Sequence, residues 1–254
     1  MEYVTSADGT RIAYDKVGSG PSVVLLHVGP MTRVVNAGLA ALLADTFTVY
    51  FYDRRGRGDS SGNVEDGADR EFEDMAAILE IAGSSANVYG SSGGAIIAFE
   101  AAARGLPITR LAAWEPPYGL PVPADWGTRV ADRVAADRRG DAVEYWMVDV
   151  IGMPAEMVAG MRHAPFWPAM EAEAHGLIAD YAIVGDLSFP HDRLATITTP
   201  TLVIDGGSAS APPLAAAVAK VVETVPGAVH GSLDGQPHNV ADDAMAPALA
   251  EFFR

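Results

Sequence analysis

With 254 residues the chain is long enough to bury a core unaided, and with no cysteine it excludes disulfides and thiolate metal sites. Lys and Arg number 17 against 33 Asp and Glu, a formal net charge of −16. That field repels phosphate backbones and anionic lipids, so nucleic acid and membrane surfaces are not expected as partners. Neutral or cationic small molecules are favoured, while the tryptophans and methionines of residues 118–192 suggest an apolar one.

Met1-Glu2-Tyr3-Val4-Thr5 has neither a basic start nor an apolar segment, so no signal peptide is read, and no apolar run is long enough to span a bilayer. A thiol-free chain suits the reducing cytoplasm. A monomer or homodimer is expected.

Residues 2–16 read as two strands around Asp8-Gly9, with Ile12, Tyr14 and Lys16 alternating against Ala13 and Asp15. Val23-Val24-Leu25-Leu26 is apolar throughout, as a strand covered on both faces should be. His27-Val28-Gly29-Pro30 follows at its end. Residues 33–44 predict a helix, and 47–52 another buried strand. Asp53-Arg54-Arg55-Gly56-Arg57-Gly58 leaves that strand as a tight turn whose arginines are expected in surface ion pairs.

Phe72, Met75, Ala76, Leu79 and Ile81 give helical spacing over 69–82. Strand 86–89 then feeds Gly90-Ser91-Ser92-Gly93-Gly94, and a helix leaves over 93–104. In the frame Gly90-x-Ser92-x-Gly94 this is a nucleophile elbow, where a Cβ at Gly90 or Gly94 is expected to clash as helix folds back on strand. Leu111-Ala112-Ala113-Trp114 is the next strand, ending at Glu115-Pro116-Pro117. Residues 118–192 contain no convincing strand and are helix-forming, cut by prolines. Alternation resumes with a strand over 200–205, a helix over 212–222, a strand over 228–233 and a helix over 241–253. Such alternation means a mostly parallel sheet with helices on both faces and a crevice at the strands' carboxyl ends.

The His27–Pro30 loop, the Asp53–Gly58 turn, the Gly90–Gly94 elbow, the helical insertion and His238 after the last strand together resemble the α/β-hydrolase superfamily from end to end. The resemblance implies an α/β-hydrolase fold: a mostly parallel eight-stranded sheet, a core domain of residues 1–117 and 193–254, and a helical cap of residues 118–192.

It also implies a serine hydrolase. Ser92 is the expected nucleophile, which needs a base to take its proton. Only His238 gives the order Ser…acid…His on a strand-end loop. His27 is expected to make a structural hydrogen bond, His230 to be a packed or surface strand residue, and His163, His175 and His191 to be ordinary residues in or beside the cap. The acid usually follows strand seven, but those slots hold Gly207, Ser208 and Ala209. Asp205 falls earlier and stands as the alternative. Glu115, ending strand six beside the nucleophile strand, is the preferred acid. Here the chain is similar to fungal lactonases acting on the macrolide zearalenone, through Ser92, Glu115-Pro116 and Pro165-Phe166-Trp167. That likeness makes Trp167 a substrate-lining candidate. Gly93 and Gly29 are the expected backbone donors of an oxyanion hole.

The expected activity is hydrolysis of an ester or lactone of a hydrophobic small molecule, with no metal or organic cofactor required. Two alternatives stay open: carbon–carbon hydrolysis of a β-diketone by the same triad, and a non-catalytic binding or accessory protein that keeps the fold.

Overall fold

The computed structural model describes residues 1–254. β1 (Glu2–Thr5) and β2 (Arg11–Gly18) form a hairpin, with Gly9 in the left-handed region that its turn requires. Then come β3 (Ser22–Leu25), a 3₁₀ turn (Arg33–Asn36) and α1 (Ala37–Leu43). β4 (Thr48–Tyr52), α2 (Ala68–Ile81), β5 (Ala86–Ser91), α3 (Gly93–Ala103) and β6 (Ile108–Trp114) follow. Between β6 and β7, over residues 115–200, the only regular elements are helices. These are α4 (Trp126–Ala135), α5 (Arg139–Tyr145) running into a π-helical turn (Trp146–Val150), α6 (Ala155–Met161), α7 (Trp167–Ala172), α8 (Gly176–Val184) and α9 (His191–Leu194). β7 (Thr201–Asp205), α10 (Pro212–Thr224), β8 (Val229–Ser232) and α11 (Asp242–Phe252) complete the chain.

The strands form one eight-stranded sheet in the order β1-β2-β4-β3-β5-β6-β7-β8, antiparallel at β1/β2 and β2/β4 and parallel elsewhere. Successive side chains of a strand point to opposite faces, and the central strands bury both sets. Val23, Leu25 and Tyr89 pack with Leu39 and Leu43 of α1 and Met245 and Leu249 of α11. Val24 and Val88 pack on the other face with Phe72 and Met75 of α2, Phe99 of α3 and Val221 of α10.

The element α3 is buried on every side from Gly93 to Ala102, as its uniformly apolar sequence requires. The sheet covers one side of it, and α8 and α9 of the insertion lie against it. Its one buried acid, Glu100, accepts two hydrogen bonds from Arg193 on α9, at 3.1 and 2.9 Å. The insertion also has a core of its own, built from Trp126, Val130, Val143, Met147, Trp167 and Leu177 among others.

The predicted helix over 33–44 is in fact a 3₁₀ turn followed by α1. Its first residue is tied down: the Arg33 N–H donates to Asp53 Oδ1 at 2.7 Å, and its guanidinium pairs with Asp53 and Asp15. β6 begins at Ile108, three residues before the apolar run that announced it. No helix is long and apolar enough to cross a membrane.

Candidate active site

The turn between β5 and α3 puts Ser92 at φ +54°, ψ −124°, a conformation that non-glycine residues rarely adopt. Its N–H donates to the Trp114 carbonyl of β6 at 2.8 Å, fastening the turn to the neighbouring strand. Gly90 is sterically required, because a Cβ there would lie 2.2 Å from the Gly94 carbonyl oxygen. Gly94 is not: its nearest neighbour would be the Leu26 carbonyl oxygen at 3.5 Å, an ordinary contact. The clash expected from both glycines belongs to the first alone, since it is the Gly94 backbone that crowds Gly90.

The structure brings Ser92, His238 and Glu115 together. His238 Nε2 lies 3.1 Å from Ser92 Oγ, and His238 Nδ1 lies 2.6 Å from Glu115 Oε2. A carboxylate only accepts, so Nδ1 carries the proton and Nε2 is free to accept from the serine hydroxyl. Glu115 is fully buried at the end of β6, with its own N–H bonded to the Ile204 carbonyl of β7 at 3.0 Å. Its second oxygen, Oε1, accepts from the Gly206 N–H at 3.3 Å and from the Ser210 hydroxyl. The loop bearing His238 is held from the same strand end, where the Trp114 indole N–H donates to the His238 carbonyl at 2.8 Å.

Asp205, the alternative acid, is engaged elsewhere. Its Oδ2 accepts from His230 Nε2 at 2.8 Å and its Oδ1 from the Gly207 N–H at 3.0 Å. Burial pushes its carboxyl up, but the hydrogen bonds from Gly207, His230 and Ser232 outweigh this and leave it below the usual range.

The loop after β3 departs from expectation. The Gly29 N–H does not face an empty site; it donates to Asp180 Oδ2 of α8 at 2.8 Å. The Gly29 carbonyl accepts from Arg57 Nη1, also at 2.8 Å. Both polar groups of that residue are therefore engaged with other side chains. The N–H groups of Val28 and Gly93 have no acceptor within the chain. A Cβ on Gly93 would sit 3.1 Å from both Val28 methyl carbons, so residue 28 adjoins the residue following Ser92.

The arginines of the Asp53–Gly58 turn are not at the surface. Arg54, Arg55 and Arg57 are each about 1% exposed. Arg54 makes a two-pronged pair with Glu71, both contacts at 2.9 Å, and a further bond to Asp180 Oδ1. Arg55 grips Asp74 in the same way at 2.8 and 2.7 Å. Arg57 donates to Asp180 Oδ1 at 2.7 Å and to the Gly176 carbonyl. Burial would push the Asp180 carboxyl up, yet Arg57 and Arg54 hold it below its usual range. Charges this deep persist only because each has a partner with matching geometry.

His27 lies beside this network, and neither of its ring nitrogens has a hydrogen-bond partner. The Tyr52 backbone favours the protonated ring, but the structural hydrogen bond expected of His27 is not made with good geometry. Burial, with Arg57 and Arg54 nearby, pushes its pKa down from 6.5 to about 3. His175 Nε2 lies 2.6 Å from the Gly56 carbonyl, tying the insertion to the arginine turn. His191 is exposed beside Asp192, and His163 is exposed.

Trp167 lies in the insertion's own core, buried, with its indole N–H on Glu171 Oε1 at 2.7 Å. Another tryptophan reaches the loop after β3. The ring of Trp146 is 2.9 Å from where a Cβ on Gly29 would stand. Trp146 opens the π-helical turn, accepting at its carbonyl from the Ile151 N–H at 2.9 Å. Such turns often mark functional positions in helices. Nothing in the sequence marks Trp146, since the π turn has no composition of its own, whereas the Pro165-Phe166-Trp167 motif draws attention to a core residue. Ser210 stands one residue past positions 207–209, and neither it nor Val28 carries a local motif. No three His, Asp or Glu side chains are grouped to hold a metal ion.

Residues 23–243 match the model of the Alpha/beta hydrolase family. An alpha/beta hydrolase from Sphaerobacter thermophilus superposes with a TM-score of 0.94 at 48% identity, over 100% of both chains. The enol-lactonase of Burkholderia xenovorans, 21% identical over 99% of each chain with a TM-score of 0.69, shares the fold. Among curated relatives, the probable oxidoreductase EphD of Mycobacterium tuberculosis is 47% identical over 60 residues. That stretch is 23% of this chain and 10% of the relative, so the chain spans a small part of it.

Proposed function

The chain belongs to the alpha/beta hydrolase family, and we propose that within it this protein is a serine hydrolase of carboxylic esters or lactones, acting on apolar, neutral small molecules. The observation that carries the reading is the unbroken hydrogen-bonded series from Ser92 Oγ through the His238 ring to Glu115. A hydroxyl, an imidazole and a buried carboxylate in that order can move one proton in either direction.

In this mechanism Ser92 Oγ attacks the carbonyl carbon while His238 Nε2 takes its proton. Glu115 holds the ring by Nδ1 and balances the imidazolium charge. The oxyanion is met by the Gly93 and Val28 N–H groups, whose lack of internal acceptors supports that role. The imidazolium returns its proton to the leaving alkoxide, and water, activated by the same histidine, hydrolyses the acyl-enzyme. The insertion acts as a cap, with Val28 and Trp146 forming an apolar wall beside the nucleophile. The similarity of short motifs to zearalenone lactonases favours a lactone among the substrates to be tried.

Fluorophosphonate labelling tests this directly. Wild type is expected to label, Ser92→Ala not at all, and Glu115→Ala far more slowly, while Asp205→Ala labels at nearly the wild-type rate. A wild-type protein that does not label sinks the proposal, and selective loss in Asp205→Ala sinks the choice of acid. Turnover of a β-diketone with none of p-nitrophenyl esters or lactones would move the reading to carbon–carbon hydrolysis.

A further inference from the structure

The residue that fixes the oxyanion loop comes from the insertion, 151 positions away in sequence from the glycine it holds. Asp180 on α8 is buried, and its two oxygens divide their work. Oδ1 accepts from Arg54 and Arg57. Oδ2 accepts the Gly29 N–H at 2.8 Å. Arg57 completes a ring by donating to the Gly29 carbonyl, so both ends of that residue are clamped by partners that also bind each other. The clamp is tight at the helix as well, where a Cβ on Gly176 would meet Arg57 Nε at 2.6 Å. Glu71 balances the second arginine, giving two cations paired with two carboxylates out of water.

Resting on the serine-hydrolase reading, we propose that Asp180 is a positioning residue for this reaction: by taking the Gly29 N–H, it orients the loop so that the preceding amide, that of Val28, is the loop's donor to the oxyanion. A carboxylate is a far stronger acceptor than a substrate carbonyl. Gly29, at φ +88°, keeps its amide turned toward α8 instead of toward the nucleophile. Val28, whose methyls rest on Gly93, keeps an N–H with no acceptor in the chain, as does Gly93 itself. Electrostatic catalysis depends on donors already in place before charge develops, and Asp180 supplies that rigidity from a different part of the chain.

Phenylboronic acid, which forms a tetrahedral adduct with an active serine, separates the possibilities in the wild-type protein. On titration followed by ¹⁵N–¹H NMR, the Val28 and Gly93 amides are expected to move downfield while Gly29 stays where it is. A downfield shift of Gly29 in place of Val28 overturns the assignment. Failure to form any adduct overturns the serine-hydrolase reading and this inference with it, so the two failures look different. Variants supply the second arm. Asp180→Glu keeps the charge that Arg54 and Arg57 require but displaces the carboxylate by one methylene. It is expected to fold and to lose at least about tenfold in kcat and in boronate affinity, with KM within about twofold of wild type. Asp180→Asn should show the same split with a larger loss of thermal stability. A folded Asp180→Glu with wild-type or higher kcat, or one whose loss lies only in KM, overturns the proposal.

Discussion

Ser210 donates its hydroxyl proton to the oxygen of Glu115 that His238 does not use, while its own oxygen accepts the Gly206 N–H at 2.8 Å. The strand-seven loop thus supplies a hydroxyl that braces a carboxylate coming from strand six. Replacing Ser210 by Ala removes the brace and leaves Glu115 with the longer Gly206 contact. A hydrogen bond to a charged group contributes about 1.5–3 kcal/mol. Ser210→Ala is expected to lower kcat/KM by roughly tenfold, and Glu115→Ala by as much as ~10⁴. Ester hydrolysis by the two variants checks the ranking. Equal losses would mean that Ser210 does more than hold the acid.

Asp205→Asn should leave kcat/KM within about threefold of wild type, because its carboxylate is taken up by His230 and the Gly207 amide and makes no bond to the His238 ring. His230 is half exposed, so the pair contributes on the order of 1 kcal/mol or less. Kinetics and thermal melts on the same sample separate the two effects.

Trp146→Ala is expected to open space beside the Gly29 loop, where the proposed apolar wall stands. A methylene in an apolar pocket is worth about 1–3 kcal/mol of discrimination. The ratio of kcat/KM for a bulky ester over an acetate ester should therefore rise by about tenfold or more. Trp167→Ala should instead destabilise the insertion by about 3–5 kcal/mol, as removal of a large core side chain does. A p-nitrophenyl ester series and thermal melts distinguish a wall residue from a core residue.

Stability should depend on pH through His27. Its pKa is about 3 in the folded protein against 6.5 unfolded. The unfolded chain therefore binds a proton that the native one does not, and stability falls as pH drops below about 6.5. Each pH unit costs about 1.4 kcal/mol within that window. Between about pH 6.5 and 4.5, before carboxylates contribute, His27→Gln should flatten the slope measured by denaturant titration. An unchanged slope would falsify the assignment.

Much of this was legible because it is local. The elbow, the strand-end glutamate followed by two prolines, and the histidine after the last strand each announce themselves within a few residues. The empty slots at 207–209 even pointed to Glu115. What could not be read is set by distance along the chain. Arg54 and Arg57 look like surface charges until Asp180, more than 120 residues on, folds over them. The Gly29 amide looks free for the same reason. His27 reads as a hydrogen-bonding residue, yet neither ring nitrogen reaches a partner with good hydrogen-bond geometry.

The backbone at Ser92 has a consequence for anyone improving the protein by selection. A non-glycine residue at φ +54°, ψ −124° stores about 1–3 kcal/mol of strain that the surrounding fold must sustain. A library sorted for heat resistance alone should therefore accumulate Ser92→Gly, a change that relaxes the turn and removes the proposed nucleophile in one step. Thermal tolerance and turnover compete at a single codon here, and any screen for hardier variants has to read out both.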